Sequence, residues 1–140
     1  MPATSKPGDK YVILIGLLVV LWLVFSPRHT TEQLLQRHLG ITNASAFRNI
    51  QTDFRSAREW TAHIYLEGSA TDIRQLLDQQ KFTPGKEVPS GVLPRLSFSK
   101  APPPPAIAQA QFFDRERTGI VDSAVVSPDG TQLWLVAQRF

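Results

Sequence analysis

The chain has 140 residues, no cysteine and a formal charge of +3 at pH 7. The missing thiols exclude disulfides, thiolate metal sites and cysteine nucleophiles. The near balance of charge, without any run of Lys or Arg, excludes the basic stripe of a nucleic-acid-binding protein.

One stretch breaks this even composition. Residues 11–25, YVILIGLLVVLWLVF, carry no charge. As a helix they span about 22 Å, short of a hydrocarbon core about 30 Å thick. Lys10 and Arg28 bracket a longer segment of about 27 Å, and their side chains snorkel toward headgroups. Tyr11 and Trp22 lie near the two ends, where amphipathic aromatics prefer to sit. A cleaved signal peptide has a similar charged start, but Ser26-Pro27-Arg28-His29 offers no small-x-small cleavage pattern.

The sequence therefore divides into a disordered cytoplasmic tail (1–10), a transmembrane signal anchor (11–27), a juxtamembrane helix and linker (28–45), and an α+β domain (46–140). From residue 28 onward thirteen basic residues face eleven acidic ones, so the domain itself is close to neutral. The expected location is a bacterial inner membrane, with the C-terminal domain in the periplasm.

Thr30 to Leu39 reads as a short helix. Thr30 and Gln33 form a capping box, Leu34, Leu35 and Leu39 share a face, and Gly40 suits the left-handed position after the last turn. His38 sits near its C-terminal end. Phe47 to Phe54 reads as a strand of impure pattern. Trp60 to Glu67 alternates cleanly, with Trp60, Ala62, Ile64 and Leu66 on one face and Thr61, His63, Tyr65 and Glu67 on the other. The short connection between the two implies a hairpin.

Ser69 caps a second helix, Ala70 to about Gln80, which buries Ile73, Leu76 and Leu77 and is anchored by Phe82. Residues 83–111 then form an irregular, proline-rich loop containing Pro102-Pro103-Pro104-Pro105, with a helical turn expected within Ala106 to Phe113. Two strands, Thr118–Ser127 and Thr131–Phe140, flank the turn Pro128-Asp129-Gly130. The fold class expected is α+β: one transmembrane helix, then an antiparallel sheet of two hairpins packed on one or two helices.

No catalytic constellation stands out. His29, His38 and His63 lack zinc-peptidase spacing. His63 and Glu67 lie on one strand face about 13 Å apart, and a metal there would need a third ligand from Asp114, Glu116 or Asp122. The alternating charges of Asp114-Arg115-Glu116-Arg117 read as surface ion pairs. No metal or cofactor is expected.

The function these features imply is a membrane-anchored protein-binding module outside the cytoplasm, not an enzyme. It would serve as a subunit of a membrane complex or as an inhibitor or immunity-type partner. Its contacts would be the lipid bilayer and a protein, without nucleic acid. Apolar residues on both faces of Thr131–Phe140 suggest a central strand or an edge that meets another protein; in the second case Trp134, Val136 and Phe140, with Pro102 to Pro105, are the candidate contact residues. The alternatives are a membrane-tethered enzyme using His63 and Glu67 or Asp114 and Glu116, and a structural membrane subunit working through its span.

Overall fold

The structure, a computed structural model, describes residues 7–25, 29–56, 58–85, 100–106 and 109–139. Helix α1 (Pro7–Phe25) has 19 residues. Its large apolar side chains from Tyr11 to Val24 are all exposed, Trp22 to 70%. Among the described residues no helix is long and apolar enough to cross a membrane. The tail 1–6 and the link 26–28, both of which the sequence assigns roles, lie outside the described residues.

Helix α2 (Thr31–Leu39) forms where its caps direct. The Thr30 hydroxyl accepts from the Gln33 amide, the Gln33 side chain accepts from the Thr30 amide, and Gly40 closes the helix at φ 64°. A Cβ at Gly40 would run into the side-chain amide of Gln80, so both conformation and space demand glycine there. Leu34, Leu35 and Leu39 are buried against the sheet, which settles their face as core.

Strands β1 (Arg48–Ser56) and β2 (Trp60–Glu67) form the expected hairpin. Its register shifts between Arg48 and Gln51, where Asn49 adopts φ 50°, a conformation asparagine tolerates better than most residues. Helix α3 (Ala70–Gln79) follows, with Ser69 as cap and Ile73, Leu76 and Leu77 buried. Its end is a Schellman motif. The Lys81 amide donates to the Asp78 carbonyl and the Phe82 amide to the Leu77 carbonyl. Lys81 supplies the left-handed residue at φ 59°, and Phe82 turns back into the core.

Strand β3 (Thr83–Pro84) is two residues long and pairs with β4 (Gln111–Arg117). The helical turn expected within 106–113 is met at its start, where the Gln109 amide donates to the Ala106 carbonyl in a 3-10 turn, and a strand replaces it from Gln111. A two-residue turn, Thr118-Gly119, leads into β5 (Ile120–Val126), and the Ser127–Gly130 turn into β6 (Gln132–Arg139).

The six strands form one antiparallel sheet in the order β1-β2-β6-β5-β4-β3. Strand β6 inserts between β2 and β5, so of the two expectations for Thr131 onward the central strand holds and the exposed edge is corrected. Its apolar residues on both faces belong to a central strand of a sheet covered on both sides.

One face carries the main core. Ile64, Leu66, Leu133, Leu135 and Val126 meet the leucines of α2 and the stripe of α3. Each such side chain contributes about 1.5–3 kcal/mol when fully buried. The opposite face holds Tyr65, Val125, Trp134 and Val136, packed against Ala101, Ala110 and Phe112. The segment from Lys100 crosses this face as a strap. The Gln51 side chain donates to the Lys100 carbonyl at 3.0 Å, and the Trp134 indole to the Pro102 carbonyl at 3.1 Å. That bond satisfies the only donor of a buried indole.

Candidate functional site

The densest polar constellation lies in the helix-covered face of the sheet. Asp122 shares the parity of Ala124 and Val126, so its carboxylate points inward, and it is 0% exposed. Arg115 stands opposite it in register, with Arg117 one same-face step along. The Nε atoms of Arg115 and Arg117 each donate to Asp122 Oδ2 at 2.7 Å, and Arg117 Nη2 donates to Oδ1 at 2.8 Å. Only 9% of the Arg115 side chain meets solvent.

The remaining donors of the two arginines reach the ends of both domain helices. Arg115 Nη2 donates to the His38 carbonyl at 2.6 Å, and Nη1 to the Gln80 carbonyl and side-chain oxygen at 3.1 and 3.0 Å. Its guanidinium lies 4.4 Å from the centre of the Phe82 ring. Arg117 Nη1 reaches the Arg37 carbonyl. Helix C-termini present unpaired carbonyls and the negative end of the dipole. One buried guanidinium thus caps α2 and α3 together, and Asp122 supplies its counter-charge. The expectation of surface ion pairs at 114–117 is corrected for Arg115 and Arg117.

His38 is drawn into this centre. Its ring is buried, and Nδ1 lies 3.0 Å from Arg117 Nη2, so Nδ1 is the acceptor and the neutral ring carries its proton on Nε2. Nε2 is buried without a hydrogen-bond partner among the described residues. Burial first, then the Arg117 charge, pushes the His38 pKa down to about 4. Burial also lowers that of Arg115, against the opposing pull of Asp122.

The sequence-derived catalytic candidates do not converge. Asp122 faces the helices, whereas His63 and Asp114 share the strap side. In register, Val136 and Ser123 separate those two, three strand spacings or about 14 Å. Glu116 is exposed.

Glu67 is engaged at the strand end. It accepts from the Tyr65 hydroxyl at 2.6 Å and from Asn49 Nδ2 at 2.8 Å. The Tyr65 bond, with that of Asn49, holds the Glu67 carboxyl below its usual range, while burial and the Glu67 bond push the Tyr65 phenol up. His63 is buried, with Nδ1 4.0 Å from Asp53 Oδ2. Among the described residues no group of three His, Asp or Glu is placed to hold a metal.

Comparison with protein-family models, with curated proteins and with solved structures gives no match. The assignment of function rests on the molecule itself.

The candidate contact residues separate in the same way. Trp134 and Val136 are each 1% exposed beneath the strap, so they hold the strap rather than face a partner. Pro102 and Pro103 are exposed, Pro104 and Pro105 half-buried, and Phe140 lies outside the described residues. On the helix side, a groove of about 580 Å³ runs between α3 and the β4–β5 end of the sheet, lined by Ile73, Leu77, Phe113, Val126 and Pro128. Arg74 and Asp78 also line it, 3.9 Å apart.

The sequence overlooked Asp122, Arg115 and His38 as a unit. One signal was available. Asp122 is a lone acid with the inward parity of Ala124 and Val126, and such an acid requires a buried cation.

Proposed function

We propose that the chain is a single-pass membrane-anchored binding module. In it, α1 fixes the α+β domain at the outer surface of a bilayer, and the domain engages a protein partner. The observation that carries this reading is α1. From Tyr11 to Val24 it turns apolar side chains outward on every side, an arrangement that water penalises and lipid accepts. Its uncharged stretch, residues 11–25, corresponds to about 22 Å, short of a bilayer core of about 30 Å, and no described helix reaches the full length and apolarity of a span. Snorkelling by Lys10, at the head of that stretch, narrows the difference.

The assignment to binding rather than catalysis has its own support. Two of the acids that sequence nominated, Asp122 and Glu67, are engaged in ion pairs and hydrogen bonds that hold the fold. Asp122 neutralises two arginines, and Glu67 organises the β1–β2 end.

Membranes carrying the full chain, washed with alkaline carbonate, are expected to retain it; release into the wash overturns the anchor. A reporter active only in the cytoplasm, fused after residue 140, is expected to stay silent, and strong activity would reverse the orientation. Extraction in mild detergent is expected to recover a stoichiometric protein partner. A monomeric, folded chain that co-purifies with none would remove the binding role.

A further inference from the structure

The passage from α1 into the domain is short. Three residues separate Phe25 from His29, so their Cα atoms lie at most about 14 Å apart. His29 is already part of the domain surface. Its ring centre is 3.8 Å from that of Phe54, and Phe54 in turn lies 5.9 Å from Trp60 in a stacked arrangement. Thr31, at the start of α2, bonds Thr52 of the same strand at 2.8 Å. The chain therefore leaves the end of α1 and meets the outermost strand of the sheet at once.

That meeting point has the composition of an interfacial surface. Phe54 and Trp60 are half-buried, on the edge strand β1 and at the head of β2. Tryptophan is favoured at headgroup depth, where its N–H edge is wet and its body apolar, and Phe54 packs with Trp60 against the main core beside it. The charges beside them balance. Arg55 and Arg58 are matched by Asp53 and Glu59, and Arg55 Nε already donates to Asp53 Oδ2 at 2.9 Å. The patch thus carries aromatic attraction without a net electrostatic one.

We infer that this β1–α2 edge is a lipid-contact surface, on which Trp60 and Phe54 seat the domain against the headgroup layer of the bilayer that α1 enters. The inference rests on the anchor reading of α1. It adds that the domain is held against the membrane by its own aromatic edge rather than hanging freely from the link.

The test uses the full chain in phosphatidylcholine nanodiscs containing a headgroup-proximal spin-labelled lipid as quencher. Trp22→Phe removes the tryptophan of α1. Trp134 remains as a reference, sealed beneath the strap at 1% exposure. Comparing W22F with W22F/W60F isolates Trp60. The expected result is loss of the Trp60 share of the emission in W22F, with little quenching of what remains in W22F/W60F. Equal fractional quenching of the two, in chains that are incorporated and folded by circular dichroism, overturns the lipid contact but leaves the anchor standing. A chain that fails to enter the nanodisc overturns the anchor and the contact together. Quenching should persist when phosphatidylglycerol is added or left out; quenching seen only with the anionic lipid would overturn the aromatic basis.

Discussion

Asp122 has no access to water, and two guanidiniums converge on it. Removing one partner of a buried ion group leaves the others uncompensated, which costs about 3–5 kcal/mol. Asp122→Ala is expected to lose that amount in urea unfolding of the full chain in detergent. It should also loosen both domain helices, because Arg115 links Asp122 to the His38 and Gln80 carbonyls. A loss under about 1 kcal/mol would mean that the cluster behaves as an exposed ion pair.

His38 gives the same centre a pH dependence. The groups facing it are Arg117, Arg115 and Arg37, all positive, and Asp122, negative. The folded ring titrates near 4, the unfolded ring near 6.5. Between those values the unfolded chain binds the extra proton, so stability rises with pH through that window. Stability is undiminished by this group above pH 6.5 and falls as pH drops toward 4, the loss reaching about 3 kcal/mol at the lower end. Unfolding followed from pH 7 to pH 4 is expected to show this loss, and His38→Gln, which keeps an acceptor for Arg117, is expected to flatten it.

At the scale of elements, Lys81 marks the end of α3 and sits at φ 59°, a conformation costing a side-chain-bearing residue about 1–2 kcal/mol. Lys81→Gly relieves that cost but gives the unfolded chain more freedom, and a net gain of about 0.5–1 kcal/mol in thermal stability is expected. A loss would show that the lysine side chain makes a contact outweighing the strain.

Both domain helices were legible in sequence because their signals are local. Thr30 with Gln33, Ser69, Gly40 and the leucine stripes each act within a few residues. The hairpins at Trp60 and at Pro128-Asp129-Gly130 were legible for the same reason. Strand β4 was not, since Arg115 and Arg117 point inward at an apolar face, and a pattern search scores them as surface. The apolar residues on both faces of β6 left a central strand and an exposed edge both open, because the pairing with β2 that decides between them joins residues about seventy positions apart. The strap explains the remaining difference. Trp134 and Val136 look like contact residues until Ala101, Pro102 and Ala110 lie against their face.

At the scale of the whole molecule, the core and the anchor are built from separate parts of the chain. Every buried apolar residue of both clusters lies between Leu34 and Ala137, and both domain helices are capped by residues after His29. Helix α1 contributes exposed apolar side chains and, among the described residues, none of the buried core. Stability of the domain is therefore expected to be independent of the anchor. A chain beginning at His29 should remain in the supernatant after ultracentrifugation, and its thermal midpoint should lie within about 2–4 °C of that of the full chain in detergent, equivalent to less than about 1 kcal/mol. It should also bind phosphatidylcholine vesicles only weakly, because the aromatic edge of Phe54 and Trp60 then acts without the tether that concentrates it at the surface. A truncated chain that unfolds would show that α1 completes the core. One that binds vesicles as firmly as the full chain would transfer the role of anchor from α1 to that edge.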